Sequence, residues 1–310
     1  MIYLLLGLFL GQPNQAPSTH TLVITGVGGE AKYRDAFVEQ AGALITNLVE
    51  GYGVDPAEIV WLAETPTLAP DRIKGRSTRE RVVAELQRMA RTAAANDRIL
   101  IVFIGHGSDA GEPKLNLPGP DLGAIQLKVL LDAFPSQMVA VVFGASASGG
   151  FVEQLRAPNR IVVTATKTGF ERNETVFAAV FARAFGGEAA DSDKDGRLSL
   201  AEAFEFTTHE VARLYESDNR LQTEHARLSD STLARRFVFM PKGTQSVLAA
   251  DDSLGVALLA QKSKLERDIE SLRARRETLE PNEYDRRLEE LLVALATVNR
   301  KLRERGGVPR

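Results

Sequence analysis

Six short apolar runs set the strongest limit on how this chain can fold: "HTLVITG" at 20–26, "EIVWLA" at 58–63, "ILIVFI" at 99–104, "MVAVVF" at 138–143, "RIVVTAT" at 160–166 and "RFVFM" at 236–240. Most are apolar at consecutive rather than alternate positions, the pattern of strands covered on both faces. Between them, "YRDAFVEQAGALITNLVEGYG" and "STRERVVAELQRMARTAAA" carry apolar residues at helical spacing. Strand followed by helix followed by strand predicts a doubly wound α/β domain over residues 19–245, with a mainly parallel, six-stranded sheet. In such sheets ligands collect beyond the carboxyl ends of the strands, where the loops converge. Residues just past each run are therefore the candidates for chemistry.

Composition narrows the chemistry. The chain has 310 residues, 25% of them charged, and a formal charge of -3. No broad basic face follows from that balance, so nucleic acid is not an expected partner. Cysteine is absent, which excludes disulfides, thiolate metal sites and a thiol nucleophile.

Two of the strand ends carry reactive side chains. His106 stands two residues past "ILIVFI", in "GHGSD", and Ser146 stands three residues past "MVAVVF", in "GASASGG". Strands adjacent in sequence commonly pair, which would bring an imidazole and a hydroxyl to one end of the sheet. Gly107 and the small residues around Ser146 leave backbone N–H groups bare enough to form an oxyanion hole. "GVGGE" at 26–30 departs from the dinucleotide-binding pattern at Ala31 and is expected to be only a tight loop. His20, His209 and His225 show no ligand spacing and are expected in surface or packing roles.

An apolar strand ending in "GHG" and a second ending in "ASASGG" resemble the catalytic pair of the legumain-type peptidases, in the wider caspase-like clan. The resemblance spans most of residues 20–240 and implies a caspase-like sheet. It implies catalytic roles for His106 and Gly107, a nucleophile position at Ser146, and the trailing Ser-Gly at Ser148 and Gly149. Gly144 lies where many relatives have an acidic residue. The "YRDAF" segment is similar to a family segment whose arginine lines the substrate pocket, which makes Arg34 the substrate-binding candidate. The departure is Ser146, which falls where the family has cysteine. A hydroxyl needs a base to take its proton during attack, whereas a thiol ionises readily. A third group to orient the imidazole is also needed, and Asp109 is near only in sequence. Three outcomes stay open: an active Ser–His hydrolase or endopeptidase, a module that binds a peptide or protein without cutting, or a vestigial site. The nucleophile argument ranks the non-catalytic outcomes first.

Residues 191–202, "DSDKDGRLSLAE", follow a different logic. Oxygen donors fall at Asp191, Asp193, Asp195, the Arg197 carbonyl, Ser199 and Glu202, with Gly196 at the sharp turn. That spacing is the twelve-residue EF-hand loop for Ca²⁺. A single loop of this kind is expected to clamp structure rather than sense calcium.

The two ends of the chain read differently again. The apolar run Ile2–Leu10 is too short to span a bilayer and has the length of a signal-peptide core. Residues 1–18 are expected to be a signal peptide and the protein to be exported, with a short apolar strand or a misplaced start as the alternative. In residues 250–305, Leu258, Leu265, Ile269, Leu272 and Leu279 form one stripe and Tyr284, Leu288, Leu291, Leu295, Val298 and Leu302 another. Pro281 between them predicts a helical hairpin. It serves either for docking or self-association, or for packing on the main domain.

Overall fold

The computed structural model describes residues 17–242, 253–274, 276 and 279–306. The signal-peptide expectation for residues 1–18 falls almost wholly outside them. In chain order the strands are β1 (Thr19–Thr25), β2 (Ile59–Ala63), β3 (Gly75–Arg76), β4 (Arg98–Gly105), β5 (Gly107–Asp109), β6 (Pro113–Leu115), β7 (Leu122–Gly123), β8 (Met138–Ala145), β9 (Arg160–Thr164), β10 (Leu198–Ser199), β11 (Arg227–Leu228) and β12 (Val238–Phe239). The α-helices are α1 (Ala31–Tyr52), α2 (Arg79–Thr92), α3 (Ala124–Leu131), α4 (Phe151–Leu155), α5 (Phe177–Ala184), α6 (Leu200–Ser217), α7 (Ser231–Arg236), α8 (Ser253–Ala274) and α9 (Pro281–Gly306).

The central sheet has seven strands in the order β11-β9-β8-β4-β1-β2-β3. All neighbours are parallel except β11, which runs antiparallel to β9. The continuous apolar runs make sense in this setting, because both faces of the sheet are covered. Leu100, Val102 and Ile104 of β4 point into a core shared with α1 and α5. The alternate residues Ile99, Ile101 and Phe103 point into the other core, with α2 and α3. Helix ends are set locally: Thr78 caps α2 by accepting from the Arg81 N–H, and Gly53 ends α1 in a left-handed conformation at φ 61.

Two expectations need correction. The sheet has seven strands rather than six, because β3 and β11 are two-residue edge strands, too short to show a period. The run at 236–240 is not a strand of this sheet. Its Val238–Phe239 portion pairs antiparallel with Leu198–Ser199 in a separate ribbon. Aromatic packing holds it there, since Phe239 meets the rings of Tyr52 and Phe185 at 6.0 and 4.9 Å. β11 meanwhile takes the sheet edge at β9.

The C-terminal helices form the expected hairpin, with α8 packed on α9. Pro281 is the first residue of α9, where its missing N–H is harmless. Leu258, Ile269, Leu272, Leu295 and Val298 are buried. Among the described residues no helix is long and apolar enough to cross a membrane.

Candidate functional site

β4 and β8 are parallel neighbours, and their last paired positions are Gly105 and Ala145. His106 and Ser146 are the next residues of each strand, so both lie at the same rim of the sheet. The backbones of Gly107 and Ser146 lie close: a side chain at Gly107 would meet the Ser146 carbonyl oxygen at 2.6 Å. Only glycine allows that approach. The Asn116 N–H donates to the His106 carbonyl at 3.1 Å, and Gly107 pairs with Leu115 one step further along the hairpin. In an antiparallel ladder hydrogen-bonded and open pairs alternate. The Gly107 N–H therefore belongs to an open pair and faces away from the hairpin.

The imidazole sits in an aromatic recess, with the rings of Tyr33 and Phe37 edge-on, each 5.2 Å between centroids. Burial there pushes the His106 pKa below its ordinary value, against nearby Glu174 and the Gly28 backbone, which favour the charged ring. A neutral imidazole is the form that can accept a proton. Ser146 is only 4% exposed, and among the described residues its hydroxyl makes no hydrogen bond, to His106 or to anything else.

The turn after β8 is held from the segment that follows β9. Thr166 Oγ1 accepts from the Ser148 N–H at 2.8 Å and the Gly149 N–H at 3.0 Å. Ala147, directly after Ser146, takes a left-handed φ of 52, and its N–H donates to the Glu171 carbonyl at 2.7 Å. A non-glycine residue there is strained and persists because its surroundings fix it. Ser148 thus braces the turn, with its own hydroxyl 3.2 Å from that of Thr166.

Other sequence candidates divide. Arg34 joins the rim: it follows Tyr33 on α1, and its backbone lies against Gly28, where a side chain would meet it at 2.6 Å. Its Nε has no hydrogen bond and approaches only Asp35, at 3.6 Å. Asp109 does not serve His106. Its carboxylate accepts from the Gly111 N–H at 3.1 Å and lies against Gly150 and Gly169. Gly144 leaves no room for an acid, because a side chain there would strike Ala178 of α5 at 2.7 Å. The "GVGGE" segment is more than a tight loop: the Gly26 N–H donates to the Ile104 carbonyl, which brings Gly28 beside His106. Sequence reasoning missed Gly28 and Glu174 as neighbours of the imidazole.

The acidic loop between α5 and α6 forms a second site. One carboxylate oxygen from each of Asp191, Asp193 and Asp195 lies within 4.8 Å of the others, a set that could hold a metal ion. The turn closes on these acids: the Gly196 N–H, at φ 80, donates to Asp191 at 2.9 Å, and the Asp195 N–H to Asp193 at 3.0 Å. The all-oxygen donor set suits a hard cation such as Ca²⁺. Glu202 is not drawn into this cluster. Its carboxylate accepts from the Ser199 N–H and hydroxyl at 2.9 and 2.8 Å and from the Ser192 N–H at 3.1 Å. With Ser199 it makes a reciprocal capping box for α6. Arg197 turns its guanidinium onto Asp195 at 2.6 Å.

Burial first, and neighbouring carboxylates after it, push Asp191 and Glu202 above their ordinary pKa values. Burial also opposes charge on Asp195, but Arg197 and Lys262 outweigh it and hold that carboxyl low. Lys262, from α8, was absent from the sequence candidates. Its Nζ pairs with Asp195 and stands 3.0 Å from Asp193. A signal for it exists, since 258, 262, 265, 269 and 272 follow a four-three repeat in which Lys262 interrupts an apolar row.

No family model matches this chain, and no curated protein matches it.

Proposed function

We propose that the rim carrying His106 and Ser146 is a legumain-like, caspase-like peptidase site that binds an extended peptide or protein segment without cutting it. A calcium-holding EF-hand loop at residues 191–202 braces the helical layer beside the same sheet. The observation that carries the binding reading is the pairing of β4 with β8 up to Gly105 and Ala145, together with a Ser146 hydroxyl that has no hydrogen bond to the imidazole. The peptidase ancestry rests on this shared rim; the loss of cleavage rests on the idle hydroxyl. Gly107 would supply its backbone N–H to a peptide carbonyl, the turn at Ala147 would keep its own N–H groups on Glu171 and Thr166, and Arg34 would meet an acidic or polar side chain of the ligand. At 191–202 the Asp191, Asp193 and Asp195 carboxylates, the Arg197 carbonyl and Ser199 would hold calcium, joined by Glu202 once it leaves its cap. Such an ion would cross-link the turn between α5 and α6. Export, expected from the sequence, belongs to the same proposal and rests on the sequence alone.

One observation favours the alternative of an active Ser–His hydrolase: burial lowers the His106 pKa, which favours the neutral ring that a general base requires. Nucleophile replacement separates the two. A fluorophosphonate probe should leave Ser146 unlabelled in the native protein, whereas Ser146→Cys should gain cleavage of a peptide library. Labelling of Ser146 that disappears in His106→Ala would establish the hydrolase instead. Failure of Ser146→Cys to cleave any peptide, together with no peptide binding by the native chain, would remove the peptidase-like reading.

A further inference from the structure

We propose that Lys262 is a built-in competitor for the acidic loop: the hairpin docks by lodging this ammonium among the Asp193 and Asp195 carboxylates, and a divalent cation entering the loop displaces it and releases the hairpin. The inference rests on the calcium reading of residues 191–202 and adds a regulation to it.

The geometry is specific to Lys262. Its Nζ pairs with Asp195, lies 3.0 Å from Asp193, and has Glu266 one helical turn on at 3.1 Å. The Lys262 side chain is 12% exposed and that of Asp195 2%, so the pair is largely out of water, where charge pairing is strong and an unmatched charge costly. The second helix reaches the same loop, as Asn299 Nδ2 of α9 donates to the Asp193 carbonyl at 2.7 Å.

Among the described residues α8 and α9 pack on each other and touch the α/β body sparsely. A cavity of about 640 Å³, lined by Ser192, Asp193, Ile269, Leu295 and Asn299 among others, lies between hairpin and loop. Lys262 and Asn299 tie the two hairpin helices directly to the loop.

A lysine within an apolar helical row weakens the hairpin itself. Its position is explained by a partner outside the hairpin, and that partner is the loop. Calcium takes six to eight oxygens at about 2.3–2.6 Å, and two of the carboxylates it would need are the ones that hold Lys262. An ammonium and a divalent ion on the same oxygens repel each other, so occupancy by one disfavours the other.

The test uses the full chain, whose lack of cysteine permits clean two-site labelling. Spin labels at His209→Cys on α6 and Ser271→Cys on α8, both exposed positions, report the hairpin-to-body distance by pulsed electron resonance. In chelator the distance should be single and narrow; in saturating calcium it should lengthen and broaden. Lys262→Met should show the broad distribution without calcium and bind calcium on the order of tenfold more tightly by calorimetry. Lys264→Met removes an equal charge from the same helix, one that faces Asp268 instead of the loop, and should change neither readout. Equal calcium affinity in native and Lys262→Met proteins, with an unmoved distance, would overturn the competition and leave the calcium loop standing. No calcium uptake by either protein would remove the loop reading, and the inference with it.

Discussion

His20 and His106 sit at opposite ends of the same parallel sheet, one near the start of β1 and the other one residue past β4. His20 is 6% exposed, its Nε2 is 2.9 Å from Asp97 and its Nδ1 pairs with Glu58. His106 has aromatic edges around it and, among the described residues, no ion pair. Both histidines follow or begin an apolar run, so residue type alone does not separate them. Their neighbours do. Asp97 is hydrogen-bonded to Nε2 of His20 and the Glu58 carboxylate lies against Nδ1, so both edges of that ring face carboxylates. The ring of His106 is confined by the Tyr33 and Phe37 rings, with the Gly28 backbone as its polar neighbour and no carboxylate paired to it among the described residues. The amino end of the sheet is held by ionic contacts; the carboxyl end is the one to which the proposed function assigns a ligand.

Three substitutions would break or sharpen that contrast. The largest effect is expected at the amino end: His20→Ala should lower unfolding stability by about 3 kcal/mol, because it removes the ring between the Asp97 and Glu58 carboxylates and leaves Asp97 only the Ser18 and Ala94 N–H groups. Chemical denaturation measures it, and a loss no greater than that of an exposed-site control would erase the structural assignment of His20. The next concerns the brace of the carboxyl end. Thr166→Val removes the acceptor for two buried N–H groups and should cost about 2 kcal/mol. Hydrogen exchange should accelerate at Ser148 and Gly149, and unchanged exchange there would show that the turn stands without Thr166.

The smallest effect is the acid response of His106. Its folded pKa lies below the ordinary 6.5, so between the two values the unfolded chain binds more protons than the folded one. Stability then rises with pH through that window and levels off above 6.5. Acidification from about pH 7 to 5 should lower the melting temperature less in His106→Gln than in the native chain. Equal slopes in the two proteins would mean that the aromatic recess does not disfavour the charged ring.

Much of the framework was legible in the amino-acid order. The β4 and β8 runs are apolar at every position, and only a sheet covered on both faces accommodates them. Their ends located His106 and Ser146 at one rim. The companions of His106 were not legible, because Gly28 reaches it through the adjacency of β1 and β4, and strand order is a tertiary property. The run at 236–240 was misassigned for a related reason: an apolar pattern records burial, and burial of Phe237 and Phe239 is satisfied against helices as well as within a sheet. Lys262 was within reach. Its place in the four-three repeat is visible, but the carboxylates that explain it lie about seventy positions earlier in the chain.

The ribbon of Leu198–Ser199 with Val238–Phe239 has a mechanical consequence. It ties the exit of the acidic loop to the chain that precedes α8, with Leu200 adding its N–H to the Phe237 carbonyl. A tug transmitted along that chain would load this two-rung ladder before it reached the long parallel strands. A ladder of only two paired positions thus stands next to the acidic turn, so tension on the hairpin would reach the turn before the eight-residue pairing of β4 with β8.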